Sequence, residues 1–320
     1  VDSVLGYDEK TLSNMWENAL KTYYEPFIES AEKEVTGKKI LSKENAGEMN
    51  VSPAISPDGK YVAFLSEKNL FSIDLFLADA ETGEIKKKLA STVHNSEVDA
   101  FNFLESAGTW SPDSKKFAFV AFDQGKNVLL IVNAENEKTR RITIPGVEAF
   151  SNPNWSPEGE KIVISGLVNG KNNLYLYDIG KNIAEKLTDD YYSKLQPSWS
   201  PDGNSIAFVT DKNQPGNYTR YKKMNLNLSL IDIQSKEEKL IEVFPGADNL
   251  NPVFSSDGNS LYFISDRDGF RNLYRYDIEN EKVFRLTNYV TGISGITNLS
   301  PAISISRETN RIVYSYYYDN

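Results

Sequence analysis

One short pattern recurs six times along the 320 residues, and this repetition constrains the fold more than any other feature of the sequence. The best copies, Pro197–Gly203 and Pro153–Gly159, read PSWSPDG and PNWSPEG. Six large apolar anchors, each placed before a Ser-Pro pair or its variant, are assigned on this pattern: Ile55, Trp110, Trp155, Trp199, Phe254 and Ile303. A period of about 44 to 55 residues is typical of a radial or solenoidal repeat protein.

The Ser-Pro-Asp-Gly tetrad that follows the anchor predicts a tight hairpin turn. Proline presets φ at the first central position, aspartate bonds nearby backbone, and glycine takes the left-handed position. The copies at 56–59 and 200–203 are intact, whereas Glu158 replaces the aspartate and Ser256 the proline elsewhere. A proline two residues before most anchors is expected to begin the inner strand, because proline seldom lies inside one.

Three further short strands follow the turn in most copies. In the fourth copy they are an alternating apolar strand at 206–209, a strand ending in aspartate at 228–232, and a closing strand at 237–241. Four strands followed by a return to the axis are typical of a propeller blade. We therefore predict an all-β fold, a six-bladed β-propeller of four-stranded antiparallel blades with a short N-terminal helical appendage.

The sequence predicts two regions. Residues 1–37 are expected to be a helical appendage, the tail of a missing domain, with Pro26 dividing the helix in two. Residues 38–320 are expected to form the propeller. The sixth copy lacks its own third and fourth strands, so we expect residues 38–43 to supply a D-type outer strand that closes the last blade. Either that blade has three strands, or the natural protein continues past Asn320, and we expect the second.

Composition disfavours several classes of function. A net charge of −10 disfavours nucleic acid as a partner, and no apolar run reaches the length of a membrane span. The chain has no cysteine and a single histidine, His94, which we expect to be a solvated loop residue. These counts disfavour thiol chemistry and a multi-histidine metal centre. We predict no catalytic residue, no metal ligand and no cofactor.

Function is expected where the copies differ. In such a blade, the B–C and D–A links emerge on one face, here called the long-loop face, and the A–B and C–D turns on the other, the turn face. The links 91–109 and 211–225 are long, and insertions on one face of a repeat array usually mark the binding face. Aromatic and basic residues, which favour binding, make up the candidate surface: Phe101, Phe103, Tyr191, Tyr192, Tyr218, Arg220, Tyr221, Lys222, Lys223, Arg267, Phe270 and Arg271. Alternatively, these loops pack on one another or on a missing domain.

The repeated order of Pro-x-Trp, Ser-Pro-Asp-Gly, an Ile-Ala-Phe strand, Leu-Tyr-x-x-Asp and Leu-Thr resembles the propeller repeats of the TolB family across residues 38–320. Such repeats are also similar to those of prolyl-oligopeptidase-like enzymes and oligogalacturonate lyases. The lyase chemistry requires several metal-binding histidines, which this chain lacks. The segment 11–20 is similar to the closing helix of metallopeptidase-like domains that precede TolB-like propellers in some bacterial envelope proteins.

The TolB resemblance implies a non-catalytic scaffold that binds a protein partner through the long-loop face, in the periplasm or cell envelope. The implied partner is a peptidoglycan-associated lipoprotein or a similar protein or peptide, and a glycan is the other candidate. The alternative function is the propeller domain of a peptidase or glycan-active enzyme. In that case the propeller gates or presents substrate to a catalytic domain absent from this chain.

Overall fold

A computed structural model describes residues 4, 6–32, 35–69, 72–91, 100–101, 108–212, 225–297 and 299–317. In these residues, antiparallel sheets are arranged radially around a central channel, and the innermost strands of successive repeats contact one another around the ring. Each sheet pairs its strands in sequence order from the channel outward, as expected for hairpin-connected strands.

Five complete blades lie within the described residues. Blade 1 comprises β1 (Asn50–Ile55), β2 (Tyr61–Ser66), β3 (Asp74–Asp79) and β4 (Ile85–Ala90). Blade 2 comprises β5 (Ala100–Phe101), β6 (Thr109–Trp110), β7 (Lys116–Asp123), β8 (Lys126–Asn133) and β9 (Thr139–Ile142), and both short inner strands pair with β7. Blade 3 comprises β10 (Ala149–Trp155), β11 (Lys161–Val168), β12 (Lys171–Asp178) and β13 (Ile183–Lys186). Blade 4 comprises β14 (Lys194–Trp199), β15 (Ser205–Thr210), β16 (Asn227–Asp232) and β17 (Glu238–Ile241). Blade 5 comprises β18 (Asn249–Phe254), β19 (Ser260–Ser265), β20 (Asn272–Asp277) and β21 (Lys282–Arg285).

The prediction of six blades is wrong. The last repeat forms only a two-stranded sheet of β22 (Ile303–Ile305) and β23 (Ile312–Tyr314), and β22 contacts both β18 and β1. This small sheet closes the ring between blades 5 and 1. Four-stranded antiparallel blades are confirmed for the first five repeats, in which the chain itself supplies all four strands.

The outer strand expected at 38–43 is not formed. Residues 38–42 have no regular structure, and Lys43–Ala46 form the short helix α2. The segment instead packs by side chains, with Ile40 and Leu41 against the core of blade 1. Side-chain packing covers this flank without a strand ladder, so a D-strand sequence pattern was insufficient to predict the pairing.

The anchor of the sixth copy is Ile305 rather than Ile303. Ser306 donates its N–H to the carbonyl of Arg311, as Ser200 does to Ser205 in blade 4. The sequence Ile303-Ser304-Ile305-Ser306 contains two Ile-Ser pairs, and this hydrogen bond distinguishes them, together with the pairing of Ile305 opposite Ile312. The sixth tetrad is therefore 306–309, and Arg307 occupies the position that proline holds in the first four copies.

Three of the inner strands contain a β-bulge, and their prolines lie at the bulge rather than at the start of the strand. In β10, β14 and β18 the register shifts around Asn152, Gln196 and Asn251, each of which precedes a proline. All three have φ near +50°, in the left-handed region. At a bulge the residue need not donate a backbone N–H to the neighbouring strand. Proline, which has no N–H, is therefore tolerated inside these strands.

The N-terminal helix α1 spans Glu9–Ser30 without a break at Pro26. Asp8 caps it by accepting a hydrogen bond from the N–H of Thr11. None of its side chains is buried, and Trp16 is 66% exposed. The expected division at Pro26 is wrong because water can satisfy the carbonyl that proline leaves unpaired on so exposed a helix.

Candidate functional site

The structure describes five of the twelve predicted surface residues with their side chains. Tyr191 and Tyr192 lie in the D–A link between blades 3 and 4, and Arg267, Phe270 and Arg271 lie in the B–C link of blade 5. Both links are on the long-loop face. Phe101 is described only as part of strand β5. The remaining six lie outside the described residues: Phe103, Tyr218, Arg220, Tyr221, Lys222 and Lys223. His94 also lies outside the described residues.

Tyr191 is the most exposed of the five, with 87% of its surface accessible. The Nζ atom of Lys171 lies 4.1 Å from the centre of its ring, a cation–π contact that orients the ring on the surface. Tyr192 is only partly buried, and its backbone N–H donates to Asp190 Oδ1 at 3.0 Å. The link therefore presents one aromatic ring to solvent on a fixed backbone.

Lys194, which was not among the residues predicted from the sequence, holds this link in place from the protein interior. Its side chain is fully buried, and Nζ lies 2.9 and 3.0 Å from the two carboxylate oxygens of Asp190. Glu238 of β17 lies 3.9 Å away and connects the cluster to Lys212 at 3.4 Å. A buried charge must be paired to be tolerated, so this cluster fixes the link between blades 3 and 4.

The two arginines of the blade 5 link are engaged within the protein. The guanidinium of Arg267 lies 4.6 Å from the ring centre of Phe244. Burial lowers the pKa of Arg271, while the nearby carboxylates of Asp266 and Asp248 act in the opposite direction. Asp266 also accepts a 2.7 Å hydrogen bond from the N–H of Asp248. Both side chains thus contribute to the local structure of this link.

Phe270 is covered by the N-terminal helix. Its ring centre lies 5.9 Å from those of both Tyr24 and Phe27 in α1. Ser30 and Glu32 continue this contact through hydrogen bonds with Asn288, at 2.6 and 2.9 Å. The helix thus docks on the long-loop face beside blade 5.

A cavity of about 290 Å³ opens on the long-loop face, near the channel axis between blades 2, 3 and 4. The described residues of its lining are uncharged and combine amides with apolar side chains, including Asn127, Asn152, Asn172, Gln196, Phe122 and Leu167. Leu299 closes one side, where its carbonyl accepts a 2.8 Å hydrogen bond from Gln196 Nε2. Such a mixed apolar and amide lining is typical of a preformed ligand pocket.

The left-handed residues of the bulges connect the inner strands across the channel wall. The N–H of Asn251 donates to Gln196 Oε1 at 2.7 Å, and Asn251 Oδ1 in turn accepts from the N–H of Ala302 at 2.7 Å. Gln196 donates its own N–H to Asn152 Oδ1 at 3.3 Å. The amide before each proline is the sequence signal that could have located this polar ring.

Neither a metal-binding cluster nor a membrane-spanning helix is found in the described part of the chain. No three His, Asp or Glu side chains within it are grouped to hold a metal ion. Likewise, no helix among the described residues has the length and apolar character needed to cross a bilayer.

Residues 102–223, less than half of the chain, match the family model described as the TolB beta propeller domain. An uncharacterized protein of Agrobacterium fabrum is 23% identical over 68% of this chain and 85% of its own length. A TolB homologue of Chlorobium chlorochromatii is 28% identical over 55% of this chain. The crystal structure of TolB from Acinetobacter baumannii covers 80% of this chain, with 20% identity and a TM-score of 0.63.

The propeller is TolB-like in its sequence repeats and in its fold. The chain spans only 40% of the Chlorobium homologue and 58% of the Acinetobacter protein. The structural similarity, at 20% identity, shows a shared fold alone.

Proposed function

We propose that this chain is a non-catalytic β-propeller scaffold that binds a protein partner through its long-loop face, in the periplasm or cell envelope of a bacterium. The observation that carries the proposal is the cavity of about 290 Å³ on that face. TolB-like repeats support the assignment to the envelope and suggest a partner similar to a peptidoglycan-associated lipoprotein.

The lining of the cavity suits a peptide segment. Gln196 and Asn152 bond within the channel wall and fix its shape, whereas the amide of Asn172 at the rim can both donate to and accept from a peptide main chain. Leu167 and Phe122 are 49% and 36% exposed, so they offer apolar contact beside those amides. Tyr191 extends this surface, because it stacks on Lys171, next to the lining residue Asn172. Exposed aromatic and aliphatic groups around a pocket are typical of interface anchors.

The proposal is tested by titrating the 320-residue protein with purified peptidoglycan-associated lipoprotein in a calorimeter. We expect Leu167→Glu and Tyr191→Ala each to weaken binding by about tenfold or more. Ile183→Glu is the matched control, because Ile183 is 57% exposed on the outer strand of the same blade. Reversing the charges of Arg220, Lys222 and Lys223 tests the link predicted at 211–225, and we expect weaker binding.

Two results would contradict the proposal. Unchanged affinity in both Leu167→Glu and Tyr191→Ala would remove the long-loop face as the binding surface. Turnover of a peptide or glycan substrate by the 320 residues alone would contradict a purely non-catalytic scaffold and favour an enzyme function.

A further inference from the structure

Among the tetrads of the turn face, two copies depart from the pattern in a charged residue, besides the neutral changes at Ser114 and Ser256. Proline occupies the second position in the first four copies, whereas the sixth has Arg307. The third copy has Glu158 where its neighbours have aspartate. These two departures belong to repeats on opposite sides of the ring, and Glu158 acts electrostatically on Arg307. The one position in these turns where a charged side chain, Arg307, replaces proline is therefore at the channel mouth.

Arg307 lines a second cavity, of about 100 Å³, at the turn-face mouth of the channel. Every repeat contributes to this cavity, and Arg307 is the one charged residue in its described lining. The rest is apolar or neutral and includes the indoles Trp110, Trp155 and Trp199 and the prolines Pro57 and Pro201. The neutral wall has few groups that could solvate a cation in place of water.

The polar side chains of the wall are already used to join neighbouring repeats. Thr109 Oγ1 accepts from the N–H of Trp155 at 3.1 Å, and Asn154 Oδ1 accepts from that of Trp199 at 2.9 Å. Ser304 Oγ accepts from the N–H of Ile55 at 3.2 Å. These bonds hold the wall rigid and leave Arg307 as the group available to an incoming ligand.

The turn that carries Arg307 is held firmly against blade 1. Ser306 Oγ and the N–H of Glu308 both donate to the carbonyl of Pro57, at 2.7 and 3.0 Å. Arg311 donates to the carbonyl of Gly59 in the same tetrad. A binding group on a rigid support loses little entropy when it engages a ligand.

The guanidinium of Arg307 is partly buried and forms no ion pair with the described residues. Burial lowers the pKa of Arg307, and the negative charge of Glu158 acts in the opposite direction. Arginine nevertheless keeps its charge in proteins. A partly desolvated cation without a partner is costly, and a carboxylate that binds it offsets that cost.

We propose that the turn-face mouth of the channel is a binding site for one carboxylate group of a peptide, with Arg307 as its cation. The cavity has room for a carboxylate head group and little more. Glu158 repels additional negative charge, so the site selects a singly charged group over a phosphate dianion. This site is on the opposite face from the proposed partner surface and is independent of it.

Intrinsic fluorescence offers a direct test, because three of the four tryptophans line this cavity. The probes are N-acetyl-triglycine with a free carboxylate, its C-terminal amide, the amide of N-acetyl-diglycyl-aspartate, and inorganic phosphate. We expect a saturable change in fluorescence with a carboxylate probe. The plain amide and phosphate should bind at least about tenfold more weakly. The aspartate amide distinguishes a side-chain carboxylate from a chain terminus.

Arg307→Pro restores the residue found in the first four copies, so it preserves the turn while removing the charge. We expect it to weaken carboxylate binding by about tenfold or more, whereas Glu158→Gln strengthens it and admits phosphate. Arg140→Gln, on an exposed outer strand, is the matched control. If Arg307→Pro does not fold, carboxylate binding is measured instead with Arg307→Lys, which retains the charge but not the guanidinium. Equal binding of the free acid and the plain amide, or full binding by a folded Arg307 variant without the charge, would overturn the proposal.

Discussion

At the scale of single residues, Lys194 has the most demanding environment in the described propeller. Its ammonium group is fully buried and paired with Asp190. We predict that Lys194→Met lowers the free energy of unfolding by about 3 kcal/mol, because Asp190 and Glu238 lose their buried counter-charge. Urea denaturation followed by circular dichroism measures this change.

Lys212→Met is the control for that measurement. Lys212 pairs with the same Glu238 but is 36% exposed, so we expect its loss to cost less than about 1 kcal/mol. Equal, small effects in the two variants would show that the Lys194 pair contributes no more to stability than a surface salt bridge.

The tetrad aspartates give the stability a defined dependence on pH. Asp202 accepts hydrogen bonds from Ser200 Oγ at 2.5 Å and from the N–H of Asn204 at 3.1 Å, and these lower its pKa. A carboxylate with a lowered folded-state pKa stabilises the protein above its unfolded pKa of about 3.9, and this contribution is lost as the pH falls through the folded value. We therefore predict that stability declines as the solution is acidified from pH 5 to pH 2.

Asp202→Asn tests this assignment, because it removes one titrating group from the turn. We expect the variant to be less stable than the parent at pH 6 and to lose less stability on acidification. Glu279→Gln, at an exposed position of a C–D turn, is expected to leave the pH profile unchanged. Parallel profiles for the parent and Asp202→Asn would rule out this turn as a source of the acid sensitivity.

At the scale of elements, local patterns predicted turns and most strands, and long-range contacts decided the rest. The tetrads are turns and the strand predicted at 228–232 is β16, because proline, glycine and period-two alternation act within a few residues. The fate of residues 38–43 depends instead on the packing of Ile40 and Leu41 against the core of blade 1. No local pattern reports such a contact.

The same limit applies to the predicted surface. Tyr191 is exposed as an aromatic residue in a variable link, whereas Phe270, of similar sequence context, is covered by α1. The sequence predicted a helical appendage but not what it contacts. Lys194 was missed because a lysine at a strand start gives no sequence sign of burial.

Phe270 provides a test of how α1 is held. We predict that Phe270→Ala releases the helix, because it removes the contacts with Tyr24 and Phe27. Hydrogen–deuterium exchange should then accelerate in residues 20–30 while the blades keep their protection. Phe284→Ala is the control, since that ring lies on the outer strand of the same blade. Unchanged exchange in α1 would show that the hydrogen bonds with Asn288 hold the helix without the aromatic contact.

At the scale of the whole molecule, the number of sequence repeats differs from the number of complete blades. Six copies of the inner pattern are present, and all six contribute to the channel wall. Only five copies continue into four-stranded blades, whereas the sixth ends as the pair β22–β23. The inner strands therefore determine the channel, while the outer strands determine the number of blades.

The two channel mouths have different chemistry as a consequence of this arrangement. Among the residues that the structure describes, the long-loop mouth has a cavity lined by uncharged amides and apolar groups, and the turn-face mouth has one arginine among indoles and prolines. The repeated residues build the wall, and the departures from the repeat provide the groups that distinguish one face from the other.

The most direct test of the central claim is hydrogen–deuterium exchange of the 320-residue protein with and without saturating peptidoglycan-associated lipoprotein. Partner binding at the long-loop face predicts slower exchange in residues 167–173 and 189–196, with no change in the tetrads at 56–59 and 200–203. Protection confined to those tetrads, or no protection at residues 167–173 and 189–196, would contradict the claim.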